Sequence, residues 1–185
     1  MFARTTRLFL RPGWTEDIEA IHAAFDDEVI AQNLSTPPWP YTVCDAHSFL
    51  CQTRHIQHPN LLITRRTAGA PQVIGSIGIS PMQGSDQIEL GYWISRQHWG
   101  LGYATEAARA MLDIAGALGY KEIMAEHFTD NPASGKVLRK LGFHSTGRVL
   151  NRHSNGRGKS APVLEYKKSL AKNNASEEAM RSLAA

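Results

Sequence analysis

The distribution of apolar residues along the chain predicts seven short β-strands. In the first, over 7–12, Leu8 and Leu10 alternate with basic residues as far as Pro12, which is typical of a strand with one buried face. Turns rich in glycine, proline and aspartate separate the three strands in the middle of the chain, so we expect these three to follow one another directly. The remaining strands are predicted over 61–66, 72–80, 87–95, 121–128, 144–153 and 161–170.

Apolar residues that recur three or four positions apart predict four helices. Thr15 is the expected N-cap of the first helix, and Gly119 is expected to end the longest one. Three prolines in the segment 34–42 exclude regular structure, so we predict a loop that carries two exposed aromatic residues, Trp39 and Tyr41. The helices are predicted over 15–25, 43–57, 101–118 and 132–143.

Helices alternate with strands towards both ends of the chain, whereas three strands run consecutively in the middle. This order predicts an α/β fold of the α+β type, with a mixed, largely antiparallel central sheet and helices on both faces. A chain of 185 residues, 42% of them hydrophobic, is long enough to form one ordinary core. We therefore predict a single domain over 1–170, followed by a C-terminal tail or short helix over 171–185.

Charge and cysteine content narrow the class of protein. A formal net charge of +3 and an isoelectric point of about 9.0 are only mildly basic, and the absence of a dense Lys/Arg block argues against direct nucleic-acid binding. Cys44 and Cys51 are too few for a disulfide scaffold, and their spacing predicts buried free thiols on one helical face. The segment 1–13 lacks a signal-peptide core and no apolar run reaches membrane-spanning length, so we expect a cytoplasmic protein without membrane partners. No residue cluster has metal-ligand spacing, and no metal is expected.

Gly100 and Gly102 immediately precede the longest predicted helix, although glycine is a poor helix former. The first turn of a helix has about four backbone N–H groups without partners, and the helix dipole makes this end positive. Glycines let an anion approach these groups, so we predict a phosphate-bearing ligand bound by the amides of 100–105. A tight turn without a ligand is the alternative. Thr105 replaces the third glycine of a dinucleotide-binding fingerprint, and His153 replaces the first glycine of a P-loop, which excludes both motifs.

Gln97 and the two glycines form the pattern Q-x-x-G-x-G after a strand, and this resembles the acetyl-CoA loop of the GNAT acyltransferases. The segment NPASGKVLRKLGF at 131–143 resembles a second signature of that family, N-x-x-S…L-x-K-x-G-F, at the usual distance downstream. RLFLRP at 7–12 and ELGYWI at 89–94 are similar to the subgroup that contains the ribosomal-protein N-terminal acetyltransferases. The resemblance covers about residues 5–170, and it implies a GNAT-like fold with acetyl-CoA (coenzyme A) as cofactor.

The resemblance also implies which residues bind the cofactor. Amides of the glycine loop would bind the diphosphate, and the end of the preceding strand would pair with the pantetheine arm like an additional strand. The next strand is expected to splay away and leave a cleft for that arm. Lys136 and Arg139 are candidates for the adenosine phosphates, with a solvated helix face as the alternative. The predicted cofactor-binding residues are Trp93, Ile94, Ser95, Gln97, His98, Trp99, Gly100, Gly102, Tyr103, Ala104, Thr105, Asn131, Ser134 and Arg139.

Attack of an amine on a thioester requires a neutral amine and a proton for the departing thiolate. Glu89, on the strand that leads to the loop, is the candidate base, and a cross-strand ion pair with a Lys or Arg is the alternative role. Ser134 matches the serine of the second signature and is the candidate proton donor, and the alternative is an ordinary hydroxyl in the first turn of a helix. Many members of the family use a tyrosine for this step, and the sequence does not identify one here.

The acceptor is expected beside the loop around Trp39 and the predicted hairpin tip at 153–160. Packing is the alternative role for Trp39 and Tyr41. For His127, on the strand that borders the cleft, the alternative is an ordinary buried, hydrogen-bonded histidine. The candidate substrate-binding residues are Trp39, Tyr41, Glu89 and His127.

These features predict an acetyl-CoA-dependent N-acetyltransferase that transfers the acetyl group directly to a primary amine. The α-amine of a protein or peptide is the preferred acceptor, because at pH 7 about 10% of α-amines are neutral, against on the order of 0.04% of lysines. A small-molecule amine such as an amino acid, polyamine or drug is the first alternative. A non-catalytic acyl-CoA-binding module and acetylation of charged tRNA are the others. The protein is expected to be a monomer or homodimer.

Overall fold

The computed structural model describes residues 1–52, 55–82 and 85–170, and its strands form one sheet in the order β1-β2-β3-β4-β5-β6-β8-β7. All neighbouring strands are antiparallel except β5 and β6, which are parallel. The predicted mixed, largely antiparallel sheet is therefore confirmed. The strands are β1 (Ala3–Arg4), β2 (Leu8–Arg11), β3 (Asn60–Arg65), β4 (Gln72–Pro81), β5 (Ile88–Ile94), β6 (Glu122–Phe128), β7 (His144–Ser154) and β8 (Lys159–Ser169).

Helices cover both faces of the sheet, as predicted. In β3, Ile63 faces a core that contains residues of α4 and α5, whereas the preceding Leu62 faces a second core formed with α1, α2 and α3. This division follows from the alternation of side chains along a strand. The helices are α1 (Ile18–Phe25), α2 (Glu28–Gln32), α3 (Val43–Cys51), α4 (Tyr103–Ala117) and α5 (Pro132–Lys140), and three single 3₁₀ turns lie at Thr15–Asp17, Arg96–His98 and Asn155–Arg157.

The start of the first helical segment differs from the prediction, because Thr15 is not its N-cap. Thr15 begins a 3₁₀ turn, for which Trp14 is the capping residue. The side chain of Asp17 accepts a hydrogen bond from the amide of Trp14 at 2.8 Å and pairs with Arg11 at 2.7 Å. A carboxylate further along the chain thus does the capping that was expected of the threonine hydroxyl.

The predicted exposure of two aromatic residues and burial of two cysteines is reversed in the structure. Tyr41 is 8% exposed and packs on Phe25, with 4.2 Å between ring centroids, and Trp39 is half-buried against the same core. Cys44 and Cys51 are exposed, because α3 turns the face that carries Ala46 towards the protein and the cysteine face towards solvent.

Strands β5 and β6 are paired at one position only, Glu89 with Met124, and then diverge. The splayed strands expected from the sequence are therefore present, and they open a cleft in the middle of the sheet. Within the described ranges no helix is both long and apolar enough to cross a membrane. Residues 171–185, predicted to be a tail or short helix, lie outside the described part of the chain, so the domain boundary at residue 170 stays a prediction.

Candidate active site

The diverging strands enclose a cavity of about 340 Å³, referred to below as the central cleft. Its walls come from β5, the loop before α4, the first turn of α4, β6, α5 and the segment after α2. The predicted residues that line it are Trp93, Ile94, His98, Trp99, Gly100, Gly102, Tyr103, Ala104, Thr105, His127, Asn131, Ser134 and Lys136. The predicted residues that do not line it are Trp39, Tyr41, Glu89, Ser95, Gln97 and Arg139.

The N-terminus of α4 opens into the central cleft without a side-chain cap. Gly102 is the N-cap residue in a left-handed conformation, with φ of +82°, and the first helical hydrogen bond runs from the amide of Glu106 to its carbonyl at 3.1 Å. The described residues give no acceptor to the amides of Tyr103, Ala104 and Thr105. These amides and the dipole of a 15-residue helix form a site that fits an anion such as a diphosphate.

Gly100 adds space at the same place. Its φ is +76°, and a Cβ at this position would meet nothing within 4 Å, so it would project into open space. The neighbouring 3₁₀ turn is held by two internal contacts: Ser95 Oγ and His98 Nδ1 share a hydrogen bond of 2.6 Å, and Trp99 Nε1 donates to the carbonyl of Ile94 at 2.6 Å. Both contacts fix the loop that presents the helix N-terminus to the cleft.

Two of the predicted cofactor residues in this loop, Ser95 and His98, are held by contacts within the protein. The amide of Ser95 donates to the carbonyl of Ile74 at 2.8 Å, so it is used within the sheet. His98 is 6% exposed, and burial together with the positive charge of Arg65 lowers its pKa, which keeps the imidazole neutral. Gln97 is exposed outside the cleft.

The edge of β5 that faces β6 is available to an extended ligand. From Gly91 to Ile94 this edge has no strand partner among the described residues, because the β5–β6 ladder ends at Glu89. An extended amide-containing chain can pair with such an edge in the way that a peptide adds to a sheet. This free edge is compatible with the predicted position of the pantetheine arm, which stays a prediction.

On the α5 side of the central cleft, Ser134 Oγ shares a hydrogen bond of 2.8 Å with the hydroxyl of Tyr92. Asn131 caps α5 and fixes this serine, since its Oδ1 accepts from the amide of Ser134 at 3.2 Å. Burial raises the pKa of Tyr92 to about 12, against a smaller lowering by its hydrogen bond with Ser134. Tyr92 thus remains a protonated donor at neutral pH, and it is a tyrosine that sequence reasoning did not identify.

On the opposite face of β5, Glu89 lies beside the central cleft next to Glu126, which lines it. Burial raises the pKa of Glu89, the negative charge of Glu126 raises it further, and the positive charge of Arg152 lowers it in part. No ion pair or hydrogen bond joins the Glu89 carboxylate to another described residue, and Arg152 pairs with Glu126 at 2.7 Å instead. The cross-strand ion pair that was the alternative role of Glu89 is therefore not formed.

Of the other candidates near α5 and β6, some line the central cleft and others do not. His127 lines the cleft but is 7% exposed, and its Nδ1 lies 2.8 Å from the carbonyl of Phe128, so it has the buried, hydrogen-bonded state. Arg139 donates to the hydroxyl of Tyr166 at 3.2 Å and does not line the cleft. Lys136 and Lys140 do line it, and the second of these was not predicted.

The predicted hairpin tip closes one end of the site by docking on the segment after α2. Ser154 Oγ donates to the carbonyl of Leu34 at 2.7 Å, and Asn155 Nδ2 donates to the carbonyl of Thr36 at 2.7 Å. Arg157 donates to the carbonyl of Gln32 and pairs with Asp130 at 2.7 Å. This docking holds in place Ile30, Asn33 and Leu34, which line the central cleft.

Comparison with known proteins agrees with this geometry. Residues 7–144 match the model of the acetyltransferase (GNAT) domain. The chain belongs to the GNAT acetyltransferase family. It is 31% identical to the N-acetyltransferase YoaA of Bacillus subtilis, itself described as uncharacterized, over 150 residues that span 77% of this chain and 82% of YoaA. The predicted enzyme class, an acetyl-CoA-dependent N-acetyltransferase, is thereby confirmed.

Solved structures have the same fold. A GNAT-family acetyltransferase from Bacillus anthracis superposes with a TM-score of 0.77 at 22% identity, covering 93% of this chain and all of the other. RimL, a ribosomal L7/L12 α-N-protein acetyltransferase solved with coenzyme A, superposes with a TM-score of 0.73 at 18% identity, covering 91% and 98% of the two chains. These likenesses confirm the GNAT-like fold and leave the acceptor open.

Proposed function

We propose that the protein transfers the acetyl group of acetyl-CoA directly to the α-amine of a peptide or protein. One observation carries this proposal: an uncapped helix N-terminus and an unpaired strand edge open into the same cleft, between a hydroxyl pair and a pair of carboxylates. The first two features suit a phosphate-bearing cofactor with an extended amide arm. The hydroxyl pair and the carboxylates suit proton transfer on the two sides of a thioester.

The cofactor site consists mainly of backbone. The amides of 103–105 and the space beside Gly100 would hold the diphosphate, and the free edge of β5 would pair with the pantetheine arm. Lys136 and Lys140 line the cleft near α5 and would neutralise the adenosine phosphates. Bound there, acetyl-CoA supplies an activated thioester carbonyl, and the protein supplies orientation and proton transfer.

Glu89 is the proposed base. An acceptor amine arrives as an ammonium ion at neutral pH and must lose a proton before it can attack. The raised pKa of Glu89 brings its carboxylate closer in basicity to an α-amine, and this makes proton removal, directly or through one water, more favourable. Its freedom from an ion pair leaves the carboxylate oxygens available for that proton.

Ser134 and Tyr92 form the proposed proton donor on the other side. The Ser134 hydroxyl would donate its proton to the departing thiolate, the Tyr92 hydroxyl would replace that proton through their 2.8 Å hydrogen bond, and solvent would return a proton to Tyr92. Donation from a neutral hydroxyl pair is consistent with the high pKa of Tyr92, since the pair remains protonated at working pH. No covalent bond to the protein is required.

The α-amine acceptor is supported by the difference in basicity between α-amines and lysines, which amounts to about 2.5 pKa units or roughly 3.5 kcal/mol. The name of the RimL neighbour points to the same class of acceptor. Small-molecule amines are the alternative acceptors.

The decisive experiment incubates the protein with acetyl-CoA and a library of peptides and small amines, followed by mass spectrometry. We expect acetylated peptide N-termini, and we expect Glu89→Gln to lower kcat by about 10²-fold or more with an unchanged Kd for coenzyme A. Glu122→Gln, at an exposed position at the start of β6, is the matched control and should retain full activity. Coenzyme A binding without acetylation of any amine would support the non-catalytic module instead.

A further inference from the structure

Three glutamates and two arginines lie together on the acceptor side of the central cleft. The three glutamates share one face of the sheet, because Glu126 of β6 is paired with Glu165 of β8, and Glu89 is paired with Met124, two positions before Glu126. We refer to this group as the carboxylate cluster. Its members are Glu89, Glu126, Glu165, Arg148 and Arg152.

Pairing within the carboxylate cluster is complete for two of the glutamates. Arg152 donates to both oxygens of Glu126, at 2.7 and 2.8 Å. Arg148 approaches Glu165 at 3.4 Å, and the hydroxyl of Thr146 donates to Glu165 at 2.9 Å. Glu89 is the remaining carboxylate, so the ionised cluster has three negative and two positive charges and a net charge of −1.

An unbalanced negative charge in a half-buried site favours a cation. The guanidinium of Arg152 forms a bidentate pair with Glu126, which leaves it poorly placed to receive a carboxylate from a ligand. An acceptor that presents an ammonium group therefore neutralises the site. An acceptor with a carboxylate beside its amine brings a second negative charge next to Glu89 and Glu126, where both arginines of the cluster are already paired and Lys167 of β8, on the same face, is exposed to solvent.

We infer that the carboxylate cluster selects acceptors whose ammonium group has no carboxylate beside it, such as a peptide N-terminus, against free amino acids. Glu126 acts as the specificity-determining residue, and Arg152 acts as a positioning residue that holds the Glu126 carboxylate at the cleft wall. This inference rests on the proposed function and specifies its class of substrate.

The same arrangement makes the basicity of Glu89 dependent on two neighbours from different strands. The charged groups that act on Glu89 are Glu126 of β6, which raises its pKa, and Arg152 of β7, which lowers it. Its direct strand neighbours, Ser80 of β4 and Met124 of β6, carry no charge. Loss of the Glu126 charge should lower the pKa of Glu89, and loss of the Arg152 charge should raise it.

The first test compares one amino acid in two forms, as its amide and as the free acid, in wild type, Glu126→Gln and the control Glu122→Gln. The amines of the amide and the free acid differ in pKa, but this difference is the same for every variant. A change in the ratio of the two kcat/KM values therefore reports the effect of the substituted side chain on the choice of acceptor. We expect Glu126→Gln to reduce the preference for the amide about tenfold, because it removes a repelling charge and frees Arg152 to bind the acid. An unchanged ratio would overturn the inference.

The second test follows the acidic limb of the pH profile of kcat/KM. We expect this limb to move to lower pH in Glu126→Gln and to higher pH in Arg152→Met, whereas Arg152→Lys, which keeps the charge, should stay close to wild type. Shifts in the same direction, or none, would contradict the assigned roles. If instead the limb is present in Glu89→Gln, the proposed base is wrong, so failure of the proposed function is distinguishable from failure of this inference.

Discussion

Tyr92 and Ser134 are 42 positions apart in the chain, yet their hydroxyl oxygens lie 2.8 Å apart in the central cleft. The serine is recognisable from its place in the motif at 131–143, whereas the tyrosine lies in a strand and resembles any aromatic residue of a β-sheet. Its role depends on the phase of β5, which turns Tyr92 towards α5 and Glu89 to the other face.

Tyr92→Phe tests the hydroxyl pair at the scale of one atom. We expect kcat to fall by about 10²-fold with little change in the Kd of coenzyme A, because the ring still packs while the proton donor behind Ser134 is lost. Steady-state kinetics and calorimetry measure the two quantities. Tyr120→Phe is the control, since its hydroxyl bonds the carbonyl of Gln57 away from the cleft. If Tyr92→Phe were fully active while Ser134→Ala was impaired, Ser134 would donate the proton without Tyr92.

Gly100→Ala tests the anion site. An alanine at φ of +76° costs about 1–2 kcal/mol in backbone energy, and its methyl group would project towards the proposed diphosphate. Gly147→Ala is matched, since φ there is +80° and its Cβ likewise meets nothing within 4 Å, but it lies in β7. We expect similar losses of unfolding free energy in both variants and a rise in the Kd of coenzyme A of about tenfold or more in Gly100→Ala alone. Equal affinities by calorimetry would argue against the site.

At the scale of elements, the tip of the β7–β8 hairpin supports one wall of the candidate active site. The tip packs so closely on α2 that a Cβ at Gly156 would lie 2.6 Å from the carbonyl carbon of Ala31. The contacts of Ser154 and Arg157 then fix the segment that contributes Asn33 and Leu34 to the central cleft. The sequence predicts the hairpin and its position near the acceptor, but the docked backbone is visible only in the folded protein.

Gly156→Ala tests this docking. We expect it to lower the free energy of unfolding by about 1–3 kcal/mol, because backbone atoms of Ala31 must shift to accommodate the methyl group. The KM for the acceptor should rise while the Kd of coenzyme A is unchanged, since the displaced wall is on the acceptor side. Gly69→Ala, where the nearest atom lies at 4.0 Å, is the control for urea unfolding and kinetics. A normal acceptor KM in Gly156→Ala would separate the tip from acceptor binding.

At the scale of the whole molecule, two carboxylates with lowered pKa values join the first strands to helical segments, Glu106 over about a hundred positions and Asp17 over six. Glu106 of α4 is partly desolvated, which raises its pKa, but hydrogen bonds from Thr5 and from the amide and side chain of Arg7 outweigh this effect. For Asp17, burial likewise raises the pKa, and the contacts of Arg11 and the Trp14 amide lower it by more. Both groups tie the first strands to the helices that cover the sheet.

These two groups predict loss of stability in acid. Because their pKa values are lower in the folded than in the unfolded protein, their contribution is complete above the unfolded values and is lost as the pH falls below about 4. Glu89 acts in the opposite sense, since its pKa is raised and protonation relieves its burial. We expect the urea concentration at the midpoint of unfolding to be lower at pH 3 than at pH 7. The decrease should be smaller in Glu106→Gln, because this variant is already less stable at pH 7. An equal fall in that variant would contradict the assignment.

The sequence by itself determined most features that depend on neighbouring residues: seven of the strands and four of the helices, though not the short β1 and α2 or the end of α3 at Cys51, the largely antiparallel sheet, the glycine loop before α4, and Ser134 in its motif. Periodicity, turn chemistry and capping act over a few positions, so they can be read locally. The tertiary structure alone decided that Tyr41 is buried, that Tyr92 meets Ser134, and that Arg152 pairs with Glu126 and not with Glu89. Those contacts depend on strand order and register across the sheet, which bring together side chains that no local pattern relates.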